Sequence, residues 1–256
     1  MNTKTLTPRA LSVIDQYLHF TVGSASCSIP YFNNKTVLAR GALRVNAGKG
    51  SPHDILDEVQ TIIIKSHVSI AALTGDALKK VLTDENIGID CSGFAYYILN
   101  AESLELKKGV LGKRISFVRC TGFMAKLRST LRPIENCDVA TLAHDDNSAI
   151  VAIKDILPGD IITMLDNTEE GERDHVLVIH QVAYQESAPV KIYYSHAVAY
   201  PEDGLYGSGI KQGTIEIADV NQPLTDAVWT ENGKQGDANR IFLRAKKSKT
   251  EIRRVR

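Results

Sequence analysis

The spacing of apolar residues changes character along the chain. In the N-terminal part they recur every three or four residues, the mark of amphipathic helices, and from Leu157 onward the period is two. Leu11, Ile14 and Leu18 share a stripe over residues 8–20, with Pro8 at a first helical position where its missing N–H costs nothing. Ser51-Pro52-His53-Asp54 supplies an N-cap, a proline and an acid at N3, and Ile55, Val59, Ile62 and Ile63 follow at helical spacing. A shorter helix over 76–82 closes at Asn86 and Gly88, and another spans 122–131 before Pro133. In the second half, residues 161–164, 175–183, 190–198, 213–218 and 240–245 read as five short strands between Gly, Asn, Asp and Pro clusters. Consecutive strands pair antiparallel in this reading, and the fold class is α+β.

Between the two halves stands Gly88-Ile89-Asp90-Cys91-Ser92-Gly93-Phe94. Phe94, Tyr97, Ile98 and Ala101 line one helical face, and Asp90 is a good N-cap. Cys91 therefore falls in the first turn, where orphan N–H groups and the positive end of the dipole favour a thiolate over a thiol of reference pKa ~8.5. The plain alternative is a small buried hydrophobe.

A cysteine nucleophile needs a base and a group that orients the base. His175 opens one predicted strand and His196 lies in the next. With residues 184–187 as the connection, Ala183 faces Ala188 and His175 faces His196. Any even-length loop nearby keeps both histidines on one sheet face, direct or diagonal neighbours within ~8 Å, whereas an odd loop or a bulge would separate them. With the cysteine helix across that face, His175 takes the thiol proton and His196 holds the other ring nitrogen. His180 has the opposite parity and is read as structural.

Charge adds little. Lysine plus arginine equals aspartate plus glutamate at 30 each, so no global field draws the chain to nucleic acid. Cys27, Cys91, Cys120 and Cys137 lack metal-site spacing, so no metal or cofactor is expected, and a reduced compartment fits best although a disulfide among the others stays open. The polar run His144-Asp145-Asp146-Asn147-Ser148 reads as a solvated loop. No apolar run reaches the ~20 residues of a membrane span, and residues 1–8 lack the apolar segment of a signal peptide; the chain reads as soluble and cytoplasmic. Residues 246–256, dense in lysine and arginine, read as a frayed basic tail.

The segments Asp90-Cys91-Ser92-Gly93-Phe94, Leu157-Pro158-Gly159-Asp160-Ile161, His175-Val176-Leu177-Val178 and Ser195-His196-Ala197 resemble, in order and context, the NlpC/P60 cysteine peptidases. The resemblance implies a single papain-like domain over 1–256, its N-terminal helices packed on the five-stranded antiparallel sheet. It makes Cys91 the nucleophile, His175 the base and His196 the orienting residue. It also implies that Tyr31 of the Pro30-Tyr31 pair, Asp90 and Ser92 surround a substrate amine, with packing or helix capping as their plain alternatives. Residues 33–86 and 102–155 exceed the family pattern and read as insertions, the first helical. The implied activity is hydrolysis of an amide bond, with a murein stem peptide cut at a γ-D-glutamyl bond as the first substrate. A cysteine acyltransferase on the same fold, or a non-catalytic scaffold, is the alternative.

Overall fold

The computed structural model describes residues 2–33, 44–66, 69–118, 120–166 and 174–256; residues 34–43 of the first inserted segment lie outside it. The helices are α1 (Pro8–Leu18), α2 (Pro52–Lys65), α3 (Gly75–Asp84), α4 (Cys91–Glu105), α5 (Phe123–Leu131), the single turns α6 (Pro133–Asn136) and α7 (Val139–Leu142), and α8 (Arg240–Lys247). The strands are β1 (Asn2–Thr5), β2 (Phe20–Val22), β3 (Ala25–Cys27), β4 (Ser148–Ile150), β5 (Ile161–Leu165), β6 (His175–Gln185), β7 (Ala188–Val198), β8 (Gly209–Glu216), β9 (Val228–Glu231), β10 (Lys234–Gln235) and β11 (Lys249–Val255). The chain is α+β, built on a large antiparallel sheet.

That sheet is wider than the five strands expected. Among the described residues it has nine strands, ordered β10-β9-β8-β7-β6-β5-β11-β4 with β1 also on β6, while β2 and β3 form a separate hairpin. Two expectations need correction at the C-terminus. Residues 240–245 form α8 rather than a strand, because Asn239 caps the N–H groups of Ile241 and Phe242 and because Ile241 and Ala245 bury one helical face. Residues 246–256 are not a frayed tail: β11 lies between β5 and β4, with Arg253 buried against Ser148, Glu251 and Asp145. Arg254 makes two bonds to the Asp160 carboxylate, at 2.7 and 2.9 Å. Asp160, the acid of Pro158-Gly159-Asp160, is thus an internal anchor for β11.

The sheet is buried on both faces, which is why its central strands alternate weakly. Val176, Val178 and Ala197 join a cluster with Ile14 and Tyr17 of α1 and Phe94 and Ile98 of α4. Leu177, Ile179, Tyr194 and Trp229 join a second cluster with Ile241 and Ala245 of α8. Each such fully buried side chain contributes ~1.5–3 kcal/mol from apolar area. The segments read as insertions belong to the first cluster: Ile55, Val59, Leu78 and Leu82 come from one, Leu111, Ile134 and Leu142 from the other. They are part of the wall around α4.

The β6–β7 hairpin positions the histidines, and it does so with a different register from the one counted along the sequence. Glu186 and Ser187, at φ 50° and 74°, form a two-residue turn, so Gln185 rather than Ala183 faces Ala188. Two irregularities follow, one between Ala183 and Tyr184 and one between Ile179 and Gln181, and their shifts cancel. Beyond them Val178 faces Ser195, so counting on by one places His196 beside Leu177, diagonal to His175. Both histidines remain on one face because the bulges compensate.

Burial of β11 makes a specific demand on Ile252, which is 5 % exposed within the second cluster. Ile252→Ala should lower the stability measured by urea unfolding by ~2–5 kcal/mol. A loss within ~0.5 kcal/mol, normal for an exposed position, would restore the picture of a loose tail.

Candidate active site

The first turn of α4 is held by backbone on both sides. Ile89 N–H donates to the Pro30 carbonyl (3.0 Å), Phe32 N–H donates to the Ile89 carbonyl (3.2 Å), and Asp90 N–H donates to the Gly48 carbonyl (2.9 Å). Gly48 has φ +71°, and a Cβ there would lie 2.2 Å from the Phe32 carbonyl oxygen, so only glycine fits. Gly93 is needed for a related reason: its Cβ would come within 2.9 Å of the Gly48 carbonyl. The Asp90 carboxylate accepts from Gly93 N–H at 2.6 Å, which is the expected N-cap. These strands of backbone fix Tyr31, Asp90, Cys91 and Ser92 as one group.

Beneath that turn lies a residue with no signal in the local sequence. Lys49 is buried, and its ammonium donates to Asp90 Oδ1 (2.9 Å), Ser92 Oγ (2.6 Å) and the Cys137 carbonyl (2.9 Å). Burial opposes its charge, yet Asp90 and the surrounding acceptors hold its pKa above the ordinary lysine value. Ser92 Oγ also donates to Asp90 Oδ1 at 3.0 Å. Asp90 and Ser92, expected around a substrate amine, are therefore already engaged with an internal one. Tyr31 is half-buried beside the thiol; burial first, and then the neighbouring Cys91, push its pKa up.

The histidines meet as expected. His175 Nε2 and His196 Nδ1 are 2.7 Å apart, and His196 Nε2 is 2.7 Å from Glu231 Oε2. Glu231 comes from β9, a strand the sequence reading did not assign; the signal was Trp229-Thr230-Glu231, where the acid shares parity with a tryptophan that proved to be 1 % exposed. Its other oxygen accepts from Tyr200 O–H at 2.7 Å, and Tyr194 O–H donates to Oε2 at 3.3 Å. Burial opposes the Glu231 charge, but His196 and the Tyr200 hydroxyl together hold its pKa below the usual carboxylate value.

An ionised Glu231 fixes every proton in the line. It can only accept, so His196 Nε2 carries the hydrogen, and with a single proton on that ring Nδ1 is the acceptor. His175 must then donate from Nε2, which leaves His175 Nδ1 as a free lone pair. His175 is thereby set as a neutral base. His180 is apart from this line; its Nδ1 is hydrogen-bonded with the Ser195 hydroxyl, 2.9 Å away.

The cysteine helix does not lie across the histidine face. It packs on the face of Val176 and Val178, while His175 and His196 share parity with Leu177 and Tyr194 of the other. The two sides meet at the start of β6, where the β6–β7 ladder has ended at Val178–Ser195 although β7 still pairs with β8 as far as Val198–Gly209. There the Val176 backbone, one residue from His175, acts on the Cys91 thiol. No hydrogen bond joins that thiol to either histidine among the described residues.

Nor is the resting thiol a thiolate. Burial at 5 % exposure, then the Asp90 charge, pushes the Cys91 pKa up to about 12, against which Lys49, Arg244 and the Val176 backbone work. Burial likewise drives His175 well below its ordinary value, helped by Arg244 and His196. Desolvation outweighs the helix N-terminus that the sequence reading relied on, and the resting pair is neutral. Arg244, from α8, is a second site residue that the strand assignment of 240–245 concealed.

Comparison of the chain with models of known protein families, with curated proteins and with solved structures found no match. Among the described residues no helix is long and apolar enough to cross a membrane. In the 144–148 run, expected as a solvated loop, His144, Asp145 and Asp146 are exposed, with Asp145 paired to Arg253, but Asn147 and Ser148 are buried.

These shifts fix how stability depends on pH. As pH falls below 6.5, the unfolded chain takes a proton at His175 that the native site resists, and stability falls. As pH rises past 9.0, the unfolded chain loses thiol protons that Cys91 and Cys137 keep up to about 12 when folded, and stability falls again. Urea unfolding across pH should show a plateau between these limits, and Cys91→Ala should have the shallower alkaline limb. An unchanged alkaline limb in that variant would contradict the burial of a neutral thiol.

Proposed function

We propose that the protein is a papain-like cysteine hydrolase of the NlpC/P60 type that cleaves an amide or peptide bond, with a murein stem peptide as the first substrate class to try. The observation that carries the reading is the hydrogen-bonded line His175–His196–Glu231, which leaves one basic nitrogen at the strand end where the capped Cys91 thiol lies.

The neutral resting pair defines the order of events. Substrate binding brings a carbonyl to Cys91; as sulfur attacks, the thiol proton passes to His175 Nδ1. The imidazolium that forms is steadied through His196 by the Glu231 carboxylate. Asp90 has taken the Gly93 N–H, and the Phe94 N–H goes to the Asp90 carbonyl, so the N–H groups of Cys91 and Ser92 are the donors for the oxyanion. His175 then returns its proton to the departing amine, leaving a thioester. Water deprotonated by His175 releases the acid and restores the thiol. The Arg244 charge works against an imidazolium at His175.

Turnover on a panel of peptides and muropeptides, with acid-quenched mass spectrometry of the Cys91 peptide, tests this reading. Cys91→Ala should lose all turnover and the acyl adduct. Glu231→Gln offers His196 an amide N–H, which flips the tautomer of both rings and blocks His175 Nδ1. It should lower kcat by ~10²–10⁴-fold while the protein stays folded. A Cys91→Ser protein that keeps full turnover, or Glu231→Gln at the wild-type rate, would overturn the assignment.

A further inference from the structure

Asp90 Oδ1 and the Ser92 hydroxyl, which flank the thiol, are already taken by an internal amine. Asp90 Oδ1 already accepts from Lys49 Nζ, from the Ser92 hydroxyl and from Gly93 N–H, and Ser92 Oγ accepts from the same ammonium at 2.6 Å. Lys49 is itself 6 % exposed, and its third hydrogen goes to the Cys137 carbonyl. All three of its N–H bonds are spent, which is the arrangement a bound primary ammonium would make. The Arg244 charge also acts on Cys91, His175 and Tyr31.

We infer that Lys49 is a specificity-determining residue: a built-in ammonium that fills the amine niche beside Cys91, so that the site takes acyl donors without a free amine next to the scissile carbonyl. This rests on the thiol-hydrolase reading and narrows its substrate class to N-acylated or otherwise uncharged groups at that point. A free α-amine would have to displace a buried ion pair, Lys49–Asp90, from the acceptors it fills. An acetylated or amide-linked nitrogen meets neither cost, because it brings no charge. The residues that build the niche arrive from three places, 48–49, 90–92 and 137, the first and last of them within the segments that exceed the NlpC/P60 pattern.

Two alanine chloromethyl ketones, one with a free amine and one N-acetylated, test the inference. In each, the Cys91 sulfur bonds to the methylene carbon, chloride leaves and the thiol proton goes to His175, so only the amine differs. The wild-type protein should be alkylated at Cys91 at least about tenfold faster by the acetylated reagent. In Lys49→Ala that preference should vanish or reverse. Ethylammonium should raise the Tm of Lys49→Ala by about 2–4 °C, and should leave the wild type and Lys49→Met unmoved. Tetramethylammonium, with no N–H to donate, should do nothing. Faster wild-type alkylation by the free amine, a ratio unchanged in Lys49→Ala, or equal effects of the two ammonium ions would overturn the inference. Cys91 inert to both ketones would overturn the hydrolase reading instead, and the ethylammonium shift would still decide what Lys49 fills.

Discussion

A single buried ammonium joins the parts of this protein that sequence order keeps apart. Lys49 ties the loop before α2 to the first turn of α4 and to the backbone at Cys137. An unpaired charge in that position would cost several kcal/mol, so the three segments must assemble together or not at all. In the core, α2, α3, α6 and α7 pack with α4 in one apolar cluster with the sheet.

The opposite face has its own buried charge. Glu231 is 4 % exposed and is kept ionised by His196 and two tyrosine hydroxyls. Its value lies in the direction it imposes: one acceptor at the end of the line determines both tautomers and leaves a lone pair at His175. The two buried charges have separate partners, and β6 and β7 part beyond Val178–Ser195. Cys91 and His175 occupy that gap, each shifted by burial toward its neutral form.

The Pro158-Gly159-Asp160 and Asp90-Cys91-Ser92-Gly93 segments show how one motif can serve both folding and chemistry. Gly159 N–H donates to the Ile179 carbonyl and Ile179 N–H returns to the Asp160 carbonyl, which fixes β6 a few residues from His175. Asp160 then seats Arg254. Asp90 caps the helix, the plain alternative for it, and also pairs with Lys49.

The sequence alone determined what depends on near neighbours. The Asp90 cap, the Ser51–Asp54 capping box, the Pro8 start of α1 and the placing of Cys91 at a helix N-terminus are set within one turn, and the structure has each of them. The shared parity of His175 and His196 was legible too, since a strand alternates strictly and two compensating bulges restored the count. Only the tertiary structure decided that Lys49, Glu231 and Arg244 surround the site. Their partners lie far along the chain, with 41 residues from Lys49 to Asp90 and 35 from His196 to Glu231, and no local spacing encodes such a meeting. It also decided the protonation of the thiol, because desolvation depends on everything packed above Cys91, while a helix dipole depends only on the helix.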